Sequence, residues 1–199
     1  MKNAVINGLI GFISKYNNFN ETKIEELKYG LLSIYLLVTK LIIILIISLL
    51  LGISKEMIMF TLIFIPIRAV SFGLHATKSW ICLITSSLVF VGIPLISKYI
   101  ILPTYFKVIV GSVFIILMYK NSPADTHKRP IVSEKRRLFF KYASVIVTTI
   151  YVFISLFIKN SFIANCLIFA LLIQNILISP LVYQLFGLPY NNYKNFKLV

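Results

Sequence analysis

The chain has 199 residues, 59% of them hydrophobic, and a formal charge of +14 from 20 Lys and Arg against 6 Asp and Glu. Its mean hydropathy of +0.92 excludes an ordinary soluble domain, in which about half the residues are apolar, and indicates an integral membrane protein. In that setting the positive charge reads as membrane orientation and contact with anionic headgroups, not as a nucleic-acid surface.

Val5, Ile6, Leu9, Phe12, Ile13 and Tyr16 recur at helical spacing opposite Asn7, Ser14, Lys15 and Asn17, which predicts an amphipathic helix in the membrane interface. The start of the chain lacks the apolar core and cleavage site of a signal peptide, so the N-terminus is expected to be retained. Asn20 and the Thr22-x-x-Glu25 capping box are expected to start a second helix that runs into the first apolar stretch, about 31–53. Further apolar runs cover about 57–74, 81–97, 100–119, 138–158 and 162–186, each near the roughly 20 residues that a span needs. The expected fold is all-α, a polytopic membrane bundle of about six helices. A single integral membrane domain over 1–199 is expected, with amphipathic helices over 1–30, the bundle over 31–186 and a basic loop over 120–137.

Six spans put alternate connections on opposite sides. Fifteen cations, among them Arg68, Lys78, Lys120, Lys128, Arg129, Lys135, Arg136, Arg137 and Lys141, fall on the side of the termini. Lys55, Lys98 and Lys159 fall on the other side, and Lys40 and Lys107 lie inside spans, where they are expected to snorkel. The positive-inside rule then places both termini, the 68–82 stretch and the basic loop in the cytoplasm of a multi-pass cell-membrane protein.

Two spans depart from an ideal helix. The uninterrupted apolar run from Met57 to Ile67 is 11 residues, about 16 Å of helix against a hydrocarbon core of about 30 Å. Arg68 therefore either faces the bundle interior in a functional role or snorkels to the surface. Pro66 is expected to kink or end the helix before it. The last span carries Asn165, Cys166, Gln174, Asn175 and Pro180; hydrogen bonding between helices accounts for its polar groups.

Asp125 is the only aspartate and lies in a loop, which excludes an intramembrane aspartyl protease. No zinc motif, phosphate-binding loop or dinucleotide fingerprint is present, so neither a metal nor a cofactor is expected. The two cysteines, Cys82 and Cys166, lie in or beside apolar segments and are expected to be free thiols. Thiol chemistry remains. A cysteine nucleophile needs a base, and His75 lies seven residues before Cys82. On a continuous helix the two would share a face but stand about 10 Å apart, too far to hydrogen-bond. The helix must break if they pair, and Gly73 with the polar 76–79 segment is a place for the break. If Thr77 or Ser79 caps the next helix, Cys82 falls in its first turn, where the helix dipole favours thiolate. The other reading is a buried Cys82 and a surface His75. His127 is read as solvated beside Lys128 and Arg129, and Cys166 as a packing residue.

The pattern Arg68-x4-Gly73-x-His75-Ala76-x5-Cys82 resembles the central motif of the accessory gene regulator protein B family, the membrane cysteine endopeptidases of Gram-positive quorum sensing. Pro123-Ala124-Asp125-Thr126-x-Lys128-Arg129-Pro130-Ile131, before a basic cluster, is a second match, and the Ile-rich run ending at Pro180 a weaker third. The resemblance extends over nearly the whole chain. It implies cleavage of a precursor signal peptide through a Cys82 acyl-thioester, with His75 as base, and cyclisation of the fragment to a thiolactone or lactone. It also implies that Arg68 orients substrate or stabilises negative charge, and that Lys135, Arg136 and Arg137 meet an acidic substrate tail. The implied partners are the precursor peptide and membrane lipid, with no nucleic acid, and a homodimer is suggested. The opposing reading is a non-enzymatic transporter or peptide-exporter component in which His75 and Cys82 are incidental.

Overall fold

A computed structural model describes residues 2–14, 20–74, 79–126 and 130–195. The chain divides into two compact units, residues 1–47 and 48–199. The first holds α1 (Lys2–Ser14) and most of α2 (Glu21–Leu50). The amides of Lys23 and Ile24 donate to the Asn20 carbonyl at 2.9 and 3.1 Å, so Asn20 stands at the cap position just before α2 and Thr22 lies inside its first turn. The amphipathic helix ends at Ser14, and Lys15, Tyr16 and Asn17 lie outside the described residues.

The second unit is a helical bundle of α3 (Ser54–Ser71), α4 (Ser79–Ser87), α5 (Ile93–Tyr99), α6 (Thr104–Asn121), α7 (Glu134–Phe157), α8 (Ser161–Ile178) and α9 (Pro180–Leu185). A π-helical stretch, Leu88–Gly92, joins α4 to α5 in one rod. Pro94 has no N–H to offer the preceding turn and its ring crowds that turn; the wider π turn accommodates both. The described residues form no strand, and the molecule is an all-α membrane helix bundle.

Five helices are long and apolar enough to cross a membrane: Thr22–Leu50, Ser79–Tyr99, Thr104–Asn121, Glu134–Phe157 and Ser161–Ile178. The remaining apolar run, expected at 57–74, is α3, which carries Lys55, Glu56 and Arg68 and is not among the five. It nonetheless traverses the bundle. Glu56 at its start meets Lys98, near the end of the rod, at 3.1 Å, while Phe72 just past its end pairs with Ala124, after α6.

Pro66 does not end α3, which continues to Ser71. The expected last span is likewise divided: Ser179 is extended, with φ −68° and ψ 129°, and Pro180 opens α9. Proline suits a first helical position because its missing N–H would be unpaired there anyway.

α8 is the central helix, with 56% of its apolar window buried against 22% for α7. Phe60 and Ile67 of α3, Met118 of α6, and Leu171 and Ile178 of α8 are fully buried in one core. Phe90 meets Phe60 and Phe64 edge-on at 5.9 and 5.6 Å. Polar side chains join the helices where water is excluded: the Tyr151 hydroxyl donates to the Ile63 carbonyl at 2.7 Å, and the Asn165 amide to the Ser97 carbonyl at 3.2 Å. Ser144 and Thr148 line the buried face of α7 and donate to carbonyls one turn back, at 2.6 and 2.8 Å, so small polar residues sit in the core with their hydroxyl protons satisfied.

Gly111 sets the closeness of α6 and α7. A Cβ there would lie 2.7 and 2.9 Å from the two methyls of Val152, a β-branched side chain with little freedom to rotate away. Gly111→Ala is expected to cost about 1–3 kcal/mol by overpacking, and Val152→Ala in the same chain to restore most of that loss. Thermal unfolding in detergent checks the pair; strictly additive effects would contradict the contact.

Candidate active site

Arg68 occupies the last turn of α3. Past Ser71 the chain turns sharply: Phe72 has φ 56° and Gly73 has φ +106°. The carbonyls of residues 72–74 are then outside any helix, beside the core, and need donors. Arg68 supplies them. Its guanidinium donates to the Phe72 carbonyl, to the Gly73 carbonyl at 3.3 Å and to the Leu74 carbonyl at 2.8 Å. The Gln174 amide of α8 donates to the same Phe72 carbonyl at 2.8 Å.

The amide protons of this segment go to two other parts of the chain. Gly73 donates to the Ala124 carbonyl at 2.8 Å, and Ala124 donates back to the Ser71 carbonyl at 3.1 Å. The Leu74 amide donates to the Leu177 carbonyl at 2.8 Å, in the last turn of α8. The two motifs recognised in the sequence, around Gly73 and around Ala124, are thus joined backbone to backbone and tied to the end of the central helix. Glycine at 73 is required twice over. Its φ disfavours an L side chain, and a Cβ would stand 2.7 Å from the Arg68 guanidinium and 2.8 Å from the Leu177 carbonyl oxygen.

Cys82 is the fourth residue of α4, partly buried, with its sulfur 3.9 Å from the Ser86 hydroxyl. Arg68 lies within electrostatic reach of it. His75 lies outside the described residues, as do Thr77, Lys78, His127, Lys128 and Arg129. The end of α3 is described: it stops at Ser71 and residues 72–74 are not helical, while α4 is described from Ser79. Cys166 is fully buried in α8.

Lys135 and Arg136 are exposed on the first turn of α7. Arg137 turns inward, its guanidinium carbon 3.1 Å from the centre of the Tyr193 ring, and Lys141 stands 4.1 Å from the Tyr119 ring centre. Together with Lys120, Glu134, Tyr190 and Tyr193 they line a groove of about 330 Å³. Ring faces hold the two cations in place at little cost in solvation. Burial, reinforced by Asp125 and Tyr193, pushes the Tyr190 hydroxyl above its ordinary pKa, so it stays a donor, here to the Asn121 carbonyl at 3.1 Å.

Two residues matter more than their sequence context indicated. Gln174, read as a helix-to-helix contact, reaches the loop carbonyl of Phe72; the polarity of the last span was the signal. Asp125, noted as the lone aspartate and as part of the second motif, is buried, and its carboxylate accepts from the amides of Asn192 and Tyr193, both at 2.9 Å. The motif marked the loop, but nothing local names a partner 67 residues away.

The Accessory gene regulator B family model matches residues 6–178. An AgrB-like protein of Clostridium acetobutylicum is 29% identical over 93% of this chain and 88% of its own length. One from Listeria welshimeri is 34% identical over 86% of this chain and 84% of its own. Protein FsrB of Enterococcus faecalis is 28% identical over 82% of this chain and 67% of its own. No solved structure matches.

The geometry at Gly73 sets apart two substitutions that are formally alike. Gly52 also has a positive φ, +67°, but open space where a Cβ would stand, so Gly52→Ala is expected to cost about 1–2 kcal/mol. Gly73→Ala adds a collision with backbone to a comparable or larger strain of about 1–3 kcal/mol. Its unfolding midpoint in detergent should fall clearly further; equal losses would mean that residues 73 and 177 do not touch.

Proposed function

Because the chain belongs to the accessory gene regulator B family, we propose that it is a membrane cysteine endopeptidase that processes a quorum-sensing precursor peptide. The observation that carries this reading is the convergence of both motifs on one hydrogen-bonded cluster immediately before the helix that presents Cys82. A scaffold without chemistry has no need to fix a short loop by Arg68, Gln174, Ala124 and Leu177 together.

In the proposed reaction His75 takes the thiol proton and the Cys82 sulfur attacks the carbonyl carbon of the scissile amide. The oxyanion is held by backbone N–H groups at the start of the span that carries Cys82. The carbon–nitrogen bond then breaks, His75 returns the proton to the departing amine, and the C-terminal tail leaves. A thioester on Cys82 remains. A nucleophilic side chain within the bound fragment attacks it, closes the ring and restores the thiol. Thioester exchange is nearly balanced in energy, whereas making a thioester from an amide is uphill. Release of the tail, or tight holding of the acyl-enzyme, must drive the first step. Water must also be kept from the acyl carbonyl, since hydrolysis would give a linear peptide.

Arg68 acts in this scheme by holding the loop carbonyls and by adding positive potential near the sulfur, with its donors already committed to residues 72–74. An acidic substrate tail is placed in the groove of Lys120, Arg137 and Lys141, with Lys135 and Arg136 at its exposed approach. The cations of this end outnumber Lys55, Lys98 and Lys159 elsewhere. By the positive-inside rule the site faces the cytoplasm, as do both termini.

Co-expression with a candidate precursor tests the reading. Cys82→Ala and His75→Ala should each abolish cleavage while the protein still inserts, and Cys166→Ala should retain it. A peptide thioester on Cys82, trapped and weighed by mass spectrometry, would be the direct sign of the intermediate. Unchanged processing by Cys82→Ala would remove the enzyme reading and favour an exporter component. Cleavage should also quicken at low ionic strength, as expected of exposed charge attraction, and Arg137→Glu or Lys141→Glu should flatten that salt dependence; variants that alter only membrane insertion would count against tail binding.

A further inference from the structure

Past α9 the chain doubles back. Gly187 has φ +62°, and residues 187–195 return across the loop that follows α6, ending in a short 3-10 helix, Asn192–Asn195. Three kinds of contact fix this strap. The Tyr190 hydroxyl donates to the Asn121 carbonyl at 3.1 Å, and the Tyr190 ring packs edge-on against Tyr183 at 5.1 Å. The Tyr193 ring carries the Arg137 guanidinium. At the centre is Asp125. Its carboxylate takes the Asn192 amide at 2.9 Å on one oxygen, and on the other the Tyr193 amide at 2.9 Å and the Ile131 amide at 3.4 Å. Its own carbonyl accepts from the Tyr183 hydroxyl at 3.0 Å.

A carboxylate that is 4% exposed is tolerated only because these amides replace water. The dependence runs both ways. Without the carboxylate, the turn at Asn191, with φ 56°, loses the acceptor for its next two amides. Asp125 is adjacent to Ala124, and Ala124 is the residue that exchanges backbone hydrogen bonds with Ser71 and Gly73. A displacement of residue 125 is therefore passed by one peptide unit to the segment that leads directly into His75.

We propose that residues 187–195 are a strap latched by Asp125, and that Asp125 is a positioning residue which, through Ala124, fixes the turn at residues 72–74 that precedes His75. The proposal rests on the assignment of His75 and Cys82 as base and nucleophile. Asp125 touches no reacting atom; it acts through Ala124 and Gly73. The strap also forms one wall of the basic groove, so the segment that shapes the tail-binding surface also steadies the turn at residues 72–74.

The test reads the nucleophile without substrate. In a Cys166→Ala background Cys82 is the sole thiol, and its alkylation by iodoacetamide at neutral pH reports how well the base serves it. His75→Ala should slow alkylation by at least about tenfold, a conservative share of what a positioned base contributes. Asp125→Ala and removal of residues 191–199 should each slow it by at least about threefold with the unfolding midpoint of the bundle retained. Asp125→Asn, which keeps one carbonyl oxygen as acceptor, should recover part of the rate. If the strap variants react at the parental rate while His75→Ala is slow, the latch does not position the loop and the proposal is overturned, with the catalytic pair left standing. If His75→Ala itself reacts at the parental rate, the pair is refuted and the latch falls with it. Should Asp125→Ala fail to insert, the truncation decides, because it removes the strap and leaves Asp125 in place.

Discussion

The three carbonyls of residues 72–74 and the guanidinium of Arg68 solve each other's problem. A charge near the hydrocarbon region is costly unless it is surrounded by acceptors, and carbonyls that leave a helix inside a bundle are costly unless they find donors. Each group alone would be a liability; together they let α3 end and the chain turn without exposing backbone to lipid. The remaining amides of the turn go to Ala124 and to Leu177, so the break in helical structure is closed by partners from two other helices' ends. The closure fixes the direction of the chain through residues 72–74, the last described before α4.

Charge is distributed around this closure unevenly. The end of the bundle that holds the turn also holds Lys120, Lys135, Arg136, Arg137 and Lys141, while the other end has the compensated Lys98–Glu56 pair and the Lys107 contact to the Ser155 carbonyl at 3.5 Å. Long-range attraction and membrane orientation are served by the same side chains, because both depend only on where net positive charge lies. Local geometry is what distinguishes Arg137 and Lys141, held on tyrosine rings, from Lys135 and Arg136, which extend into solvent. Held cations lose less freedom when an anion arrives.

The helices were legible in the sequence because a membrane bundle writes them as apolar runs, and the runs at 81–97, 100–119 and 138–158 lie within the α4–α5 rod, α6 and α7 to within a few residues. What escaped were features set by neighbours. Pro66 reads as a helix breaker, yet α3 carries on past it to Ser71, packed against α8 and α7. Pro180, in contrast, sits at a true start, and the apolar composition on both sides hid the break at Ser179. Arg68 offered two readings, interior or snorkelling, that only its acceptors could separate. Asp125 and Gln174 owe their importance to partners 67 and 102 residues away, and no local pattern encodes contacts at that separation.

The turn at Gly73 also bears on the proposed pairing of His75 with Cys82, whose two members make different demands on their surroundings. A nucleophile gains from a helix first turn, where unpaired N–H groups stabilise the thiolate and then the oxyanion at no cost in reorganisation. A base gains nothing from that field, because the same positive potential lowers the proton affinity of an imidazole. In the proposed pairing, residues 72–74, held by Arg68, Ala124 and Leu177, lead toward His75, so that the two demands need not fall on one helix. In that proposed pairing the helix field would act on Cys82, while the approach to the base would be fixed by backbone hydrogen bonds that do not alter its charge. A continuous helix could not meet both demands, since it would hold the two residues about 10 Å apart along one axis.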